Sequence, residues 1–349
     1  MPNSTALSSD TKWQLFKHAL YMLEGLCLVA FNGIICATLW RYQALRQRKE
    51  LLPLSALAFT DCLAGLGTLT AGLYRIPLWL AHRENEAATR KYCLLMPMNI
   101  LWSLFDPAQH TMLIVISVDR LMAVIDPLRY MGLDSYYSFS LIGVAYGSVV
   151  ILAAVSYYSY WSLPAPHATK ICWRNMAYDT WGNYVRDSVN TSSTMLSVGL
   201  YLLVPLVIWW RTGVQATNAQ IESERRFQMK LTVTVATSCA FTFLFCALPW
   251  LAHVWVMIQY PGSYTSYGPW LFIIANLNPM ANLWIYMKRQ KFFSAGLKAL
   301  LSNKSMPANL RDWDLENSSI QNQKVETSVR SKSPGQPKQH PKDLNISEL

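Results

Sequence analysis

The chain has 349 residues, 52% of them hydrophobic and only 14% charged, with a net charge of +10. Soluble domains carry roughly a quarter charged residues, so the chain is either very rich in core or membrane-embedded, and run lengths decide between these. No nucleic-acid-binding module accompanies the positive excess, and no phosphate loop, zinc-protease helix or nucleophile elbow is present, so neither nucleic-acid binding nor enzyme activity is expected.

Residues 1–16 read as an outer tail, because "MPNSTALSSDTKW" lacks the basic start and cleavage site of a signal peptide. Seven apolar runs follow, at 18–40, 51–75, 94–125, 137–161, 192–215, 228–259 and 267–287. Each has about the 20 residues that cross a bilayer. The expected fold class is an all-α membrane protein, a seven-transmembrane helix bundle over 17–301. After the last run, Phe292, Phe293, Leu297, Leu300 and Leu301 recur near helical period, with Lys291 and Lys298 among them. That pattern predicts a short amphipathic helix lying in the interface. Residues 302–349 are rich in Ser, Asn, Lys and Pro, the composition of a disordered tail. No internal repeat is visible, which counts against a transporter built from inverted repeats.

Orientation follows from the short loops. The first, "RYQALRQRKE", is strongly basic, and Arg129, Arg211, Arg225, Arg226, Lys230 and "KRQK" fall on the same side. That side is read as cytoplasmic, where it faces anionic membrane lipids. An odd number of spans then puts the N-terminus outside the plasma membrane. Asn3 and Asn190 open sequons on the outer side and are glycosylation candidates. Cys93 and Cys172 also lie outside, where a disulfide is permitted.

Amides and ionisable groups interrupt the apolar runs: Asn32, Asp61, Asp106, Gln109, His110, Asn276, Asn278 and Asn282. Such groups are costly in a membrane and mark function or hydrogen bonds between helices. Asp106 finds no Lys or Arg within the spans. It either selects a cationic or hydrogen-bonding ligand, pairs with His110 at i+4, or stays protonated by desolvation.

The third run ends in DRLMAVIDPLRY. This string resembles the DRYxAVxxPLxY signature of rhodopsin-like (class A) G-protein-coupled receptors. Asp119, Arg120, Ala123, Val124, Pro127, Leu128 and Tyr130 match it, and Leu121 replaces the usual aromatic. The resemblance extends over 17–301. Asn32 resembles the family's first-helix asparagine, Asp61 in "LAFTD" the second-helix aspartate, and Pro205 the fifth-helix proline. "CALP", Cys246 to Pro249, resembles the sixth-helix CWxP with Ala247 in place of tryptophan; Trp250 lies three residues on. In the stretch "NLNPMANLWIY", Asn282 to Tyr286 resembles NPxxY, with Leu283 where proline belongs, Pro279 a turn further out and Asn278 as an earlier asparagine. The DRL variant, compact loops and short tail are most similar to nematode serpentine chemoreceptors of the srsx kind.

The resemblance implies a receptor that couples an extracellular small molecule or short peptide to a heterotrimeric G protein, with a chemosensory role in view. It implies a Cys93–Cys172 disulfide. It implies G-protein coupling through Asp119, Arg120, Tyr130, Asn282 and Tyr286, and a ligand pocket near Trp102, Asp106, Trp250 and His253. Asp61, Gln109, Asn278 and Asn282 would form a polar cluster able to hold a sodium ion; no other cofactor is expected. The inner end of the sixth run carries Met229 and Lys230 where the family often has an acid, leaving Arg120 one restraint short. Two alternatives stand beside this reading. One is a cation transporter or channel using Asp61 and Asp106. The other is a receptor-like scaffold that does not signal.

Overall fold

The computed structural model describes residues 9–161, 168–178, 180–214, 237, 240–260, 264–289 and 291–303. Its described residues form a bundle of seven principal helices followed by an eighth. These are α1 (Ser9–Arg41), α2 (Leu52–Leu80), α3 (Pro97–Ile125), α4 (Ser135–Trp161), α5 (Thr180–Val214), α6 (Leu248–Gln259), α7 (Tyr264–Arg289) and α8 (Lys291–Leu301). Among the described residues, five helices are long and apolar enough to cross a membrane, and Ala240–Val256 is apolar but shorter. The predicted start of that sixth span, at 228, lies outside the described residues, as do Asn3, Met229, Lys230 and 304–349 of the expected tail. Large apolar side chains such as Leu26, Phe59, Val144, Ile151, Leu202 and Leu206 point outward. Helices that are apolar on the outside as well as the inside need a lipid solvent.

Local sequence explains where several helices begin. Prolines stand in the first turns of α2 and α3, where a missing N–H has no cost. Asp126 accepts from Arg129 N at 3.1 Å and so caps the helical turn Pro127–Gly132 that follows α3. A π turn, Phe243–Ala247, leads into α6. Pro249 offers no N–H to the preceding turn, and the backbone there widens.

α1 and α2 approach closely. A Cβ added to Gly25 would lie 2.4 Å from Leu69 N and 2.7 Å from Gly65 O, and one on Gly72 would lie 2.9 Å from His18 O. Small residues that let two backbones touch are the usual adhesive of helices in lipid.

α5 begins several turns before the apolar run at 192. Asn183, Arg186, Asp187 and Asn190 make this stretch too polar to read as a span, yet all four are buried. Their polarity serves the inside of the bundle.

On the outer side, β1 (Ala87–Ala88) pairs antiparallel with β2 (Ala168–Thr169), Ala87 opposite Thr169 and Ala88 opposite Ala168. Arg83 and Lys170 both pair with Glu86 beside this ribbon. The Cys93–Cys172 disulfide, with Cα atoms 5.1 Å apart, ties the loop to the start of α3. Arg75, only 1% exposed, donates from Nε to Ile171 O and from Nη2 to Cys172 O, both at 3.1 Å, and lies 4.3 Å over the Trp173 ring. Asn99 Nδ2 donates to Cys93 O at 2.7 Å. The loop is therefore clamped over the bundle mouth from both α2 and α3.

On the inner side, α8 buries Phe293 and Leu297. A Cβ on Gly296 would sit 2.8 Å from the Leu45 side chain, which places α8 against the first inner loop.

Candidate functional site

Three polar groups stack along the bundle. The outermost lies under the clamped loop. Arg174, two residues beyond Cys172, reaches inward, and its Nη1 donates to Asp106 Oδ2 at 2.8 Å. Asn190 Nδ2 donates to the same oxygen, also at 2.8 Å. His110 Nε2 stands 4.0 Å from Asp106 Oδ1, while its Nδ1 meets Thr194 Oγ1 at 2.8 Å. Beside this, Asp187 Oδ1 takes two N–H groups of Arg186, at 3.0 and 2.8 Å. His253 Nε2 lies 3.2 Å from Asp187 Oδ2. Trp250 packs edge-on between His110 and His253, with centroids 5.4 and 5.3 Å away. A small, partly open cavity lies here, lined by Arg174, Trp250, His253, Leu271 and Phe272 among others.

The pocket residues expected from the sequence are thus partly brought together. Trp250 and His253 line the cavity. Asp106 sits behind Arg174. Trp102 belongs to the helix interface, donating to Thr68 Oγ1 at 3.3 Å and meeting the Phe272 ring edge-on. One reading needs correction and one is completed. Asp106 finds no Lys or Arg within the spans, and its cationic partner comes from the outer loop; the signal was Arg174's place two residues beyond a cysteine that anchors the loop over α3. Asn190 is not a surface sequon. It is 0% exposed, and the nitrogen that a glycan would occupy donates to Asp106. The sequon was read as loop because α5 was expected to start only after it.

The middle group centres on Asp61. Asn282 Nδ2 donates to its Oδ2 at 3.3 Å, and the Gln109 amide faces the same carboxyl group. Asp61 Oδ1 has no hydrogen-bond partner among the described residues, nor has Asn32 Oδ1. Asn278 is buried on α7 but does not bond to Asp61. Glu24, absent from the sequence reading, is a further buried acid on α1, near Asn276 of α7. Only its position inside "LYMLEGLCLVA" could have marked it.

The inner group surrounds Arg120. Its Nη2 lies 3.5 Å from Asp119 Oδ2 and donates to Glu50 O, in the first inner loop, at 2.8 Å. Tyr130 donates to both Asp119 oxygens, at 3.1 and 3.2 Å. Burial first, and then the charge of Asp119, push the Tyr130 phenol's pKa up, so it remains protonated and able to donate. Lys49 crosses the same face: its Nζ donates to Tyr130 O and, at 2.7 Å, to Leu133 O. Ser138 Oγ returns a bond to Lys49 O at 3.1 Å. Tyr286 is buried nearby and packs edge-on against Phe293 at 6.0 Å. Lys49 and Glu50 were missed because a basic loop was read only for its charge.

No His/Cys/Asp/Glu cluster of metal-binding form occurs among the described residues. The family profile of 7 transmembrane receptors (rhodopsin family) matches residues 31–286, more than two-thirds of the chain. A comparison with curated proteins finds no match.

Proposed function

Because the chain belongs to the rhodopsin family of seven-transmembrane receptors, we propose that its outer cavity binds an extracellular small molecule or short peptide and that its inner face activates a heterotrimeric G protein. The observation that supports this most is the pairing of a loop-capped polar cavity, at Arg174, Trp250 and His253, with a restrained arginine at the other end of α3. A ligand shifts such a bundle only by its preference for one of two states. Trp250 touches both histidines of the outer group and follows the π turn in sequence, so ligand contact at this ring is where the sixth helix would first respond. At the inner end, release of Arg120 from Asp119 and Glu50 O would expose a planar donor fork near Tyr130 and Tyr286, with Asn282 a layer further in, on Asp61.

In this reading the N-terminus is extracellular, the protein resides in the plasma membrane, and the srsx-like features make a chemosensory role the working assignment. Asp61 and Asn282 would hold a sodium ion, with Gln109 adjoining and Asn278 a turn away. Hard cations take oxygen ligands, and the unpaired Asp61 Oδ1 suits one. Such an ion would supply charge compensation inside the bundle.

A cation transporter or channel is not favoured. Asp106 is already neutralised by Arg174, so the outer step of a carboxylate path carries a fixed cation.

The test is a G-protein dissociation assay in cells, comparing the wild type with Arg120→Ala at equal surface expression. Receptor-dependent dissociation that disappears in Arg120→Ala supports the proposal. Dissociation absent from both across ligand libraries, or unchanged in the variant, counts against it.

A further inference from the structure

The outer loop turns into the bundle at Cys172, whose φ of 47° lies in the left-handed region that a β-carbon disfavours. Such a conformation persists only where its surroundings fix it. Here the disulfide to Cys93 fixes it, and so do two donors on Cys172 O, Arg75 Nη2 at 3.1 Å and Asn99 Nδ2 at 3.4 Å. Beyond the turn Arg174, Ala177 and Tyr178 are buried. The Arg174 guanidinium ends on Asp106 Oδ2 at 2.8 Å and stands 5.9 Å from the centroid of the Phe272 ring on α7. A carboxylate and an aromatic face are the surroundings that hold a ligand cation. The loop side chain occupies that place itself, and only a small cavity remains beside it.

We infer that Arg174 is a tethered ligand: Asp106, with Phe272 beside it, forms a guanidinium site that the receptor fills from its own outer loop. The chemistry of a soluble competitor follows from the pair. Asp106 is 5% exposed, and a buried carboxylate stripped of its cation is costly. A ligand that displaces Arg174 must therefore bring a guanidinium or ammonium group of its own. An acid or a neutral molecule would leave Asp106 stranded. His110 does not take over the role, because its Nε2 stands 4.0 Å away and its Nδ1 is engaged with Thr194. Tethering also gives the loop cation a high effective concentration, so the wild-type site is closed to weak cations. For a natural ligand this rests on the outer site being where the proposed function places it.

The test is chemical rescue, read without G protein. Arg174→Ala removes the side chain beyond Cβ, and ethylguanidinium is the missing piece; ethylurea has its shape without its charge. Purified full-length receptor in nanodiscs is followed by thermal unfolding in each compound. The wild type should respond to neither. Arg174→Ala should melt lower and recover, saturably, with ethylguanidinium. That cation should bind at least about tenfold more tightly than ethylurea, a difference of about 1.4 kcal/mol. Asp106→Asn/Arg174→Ala has no carboxylate to hold the cation and should not recover. Should Arg174→Ala alone fail to fold, rescue is read as surface expression in cells given propylamine, which crosses membranes as the free base, or propan-1-ol. The amine should raise it and the alcohol should not. No recovery, equal recovery with the neutral partner, recovery that survives in the double variant, or a wild-type response as large as that of Arg174→Ala would overturn the inference. If signalling still depends on Arg120 after such a result, only the tethered site falls; if rescue succeeds and no coupling is found, only the proposed function does.

Discussion

Arg174 and Asp106 meet where water is excluded, and removing one alone strands the other. Breaking a buried pair costs roughly 3–5 kcal/mol, whereas replacing both partners can be nearly neutral. Arg174→Gln alone should therefore lower the thermal midpoint sharply, and adding Asp106→Asn should restore most of it. Additive losses in a double-mutant cycle would show that the two do not act as a pair. Asn190 belongs to the same group. Peptide mapping of receptor from a glycosylating cell should find Asn190 unmodified; a glycan there would contradict its hydrogen bond to Asp106. The acids and amides of this site were legible in the sequence as polar residues in apolar runs, because lipid makes each one costly. Their partners were not. Arg174 and Asn190 sit in stretches polar enough to pass for loop, and nothing in the linear pattern shows a loop turning inward. Lys49 and Glu50 were hidden in the same way: Arg120 takes the carbonyl of Glu50, and a carbonyl has no signature in sequence.

At the scale of elements, run length predicted the helices and small residues set their spacing. The α1–α2 contact leaves no room at Gly25, where the nearest atoms are backbone and cannot swing away. Gly25→Ala should destabilise by about 1–3 kcal/mol, read as a lower thermal midpoint, while Gly33→Ala, which meets nothing within 4 Å, should not. Equal effects would mean that the two helices are not in backbone contact. The first inner loop is a second such element. Lys49 bridges Tyr130 and Leu133 carbonyls while Glu50 O holds Arg120, so the loop restrains the resting arginine. Lys49→Met should raise ligand-free G-protein activation at equal expression. Unchanged or lower basal activity would reject that restraint. The ends of α1 and α5 were not legible. Hydropathy marks where a helix is apolar, and both continue outward through polar residues, among them His18, Arg186 and Asp187, that are buried in the bundle.

Across the whole molecule, the seven-helix fold, its disulfide and its family follow from run lengths and from DRLMAVIDPLRY, while the ligand chemistry depends on side chains that come together only in three dimensions. The structure joins a loop-capped cavity to a restrained arginine through α3, which carries Asp106, His110, Asp119 and Arg120. In the proposed mechanism this arginine, once released, engages a G protein through its planar fork. The most direct measurement is nucleotide exchange on purified heterotrimeric G proteins by the receptor in nanodiscs, comparing the wild type with Arg120→Lys at matched folding. The wild type should accelerate exchange on at least one G protein, and Arg120→Lys should not, because a point charge does not replace a bidentate fork. Full exchange activity in the lysine variant, or none from the wild type on any G protein, would contradict the proposed coupling.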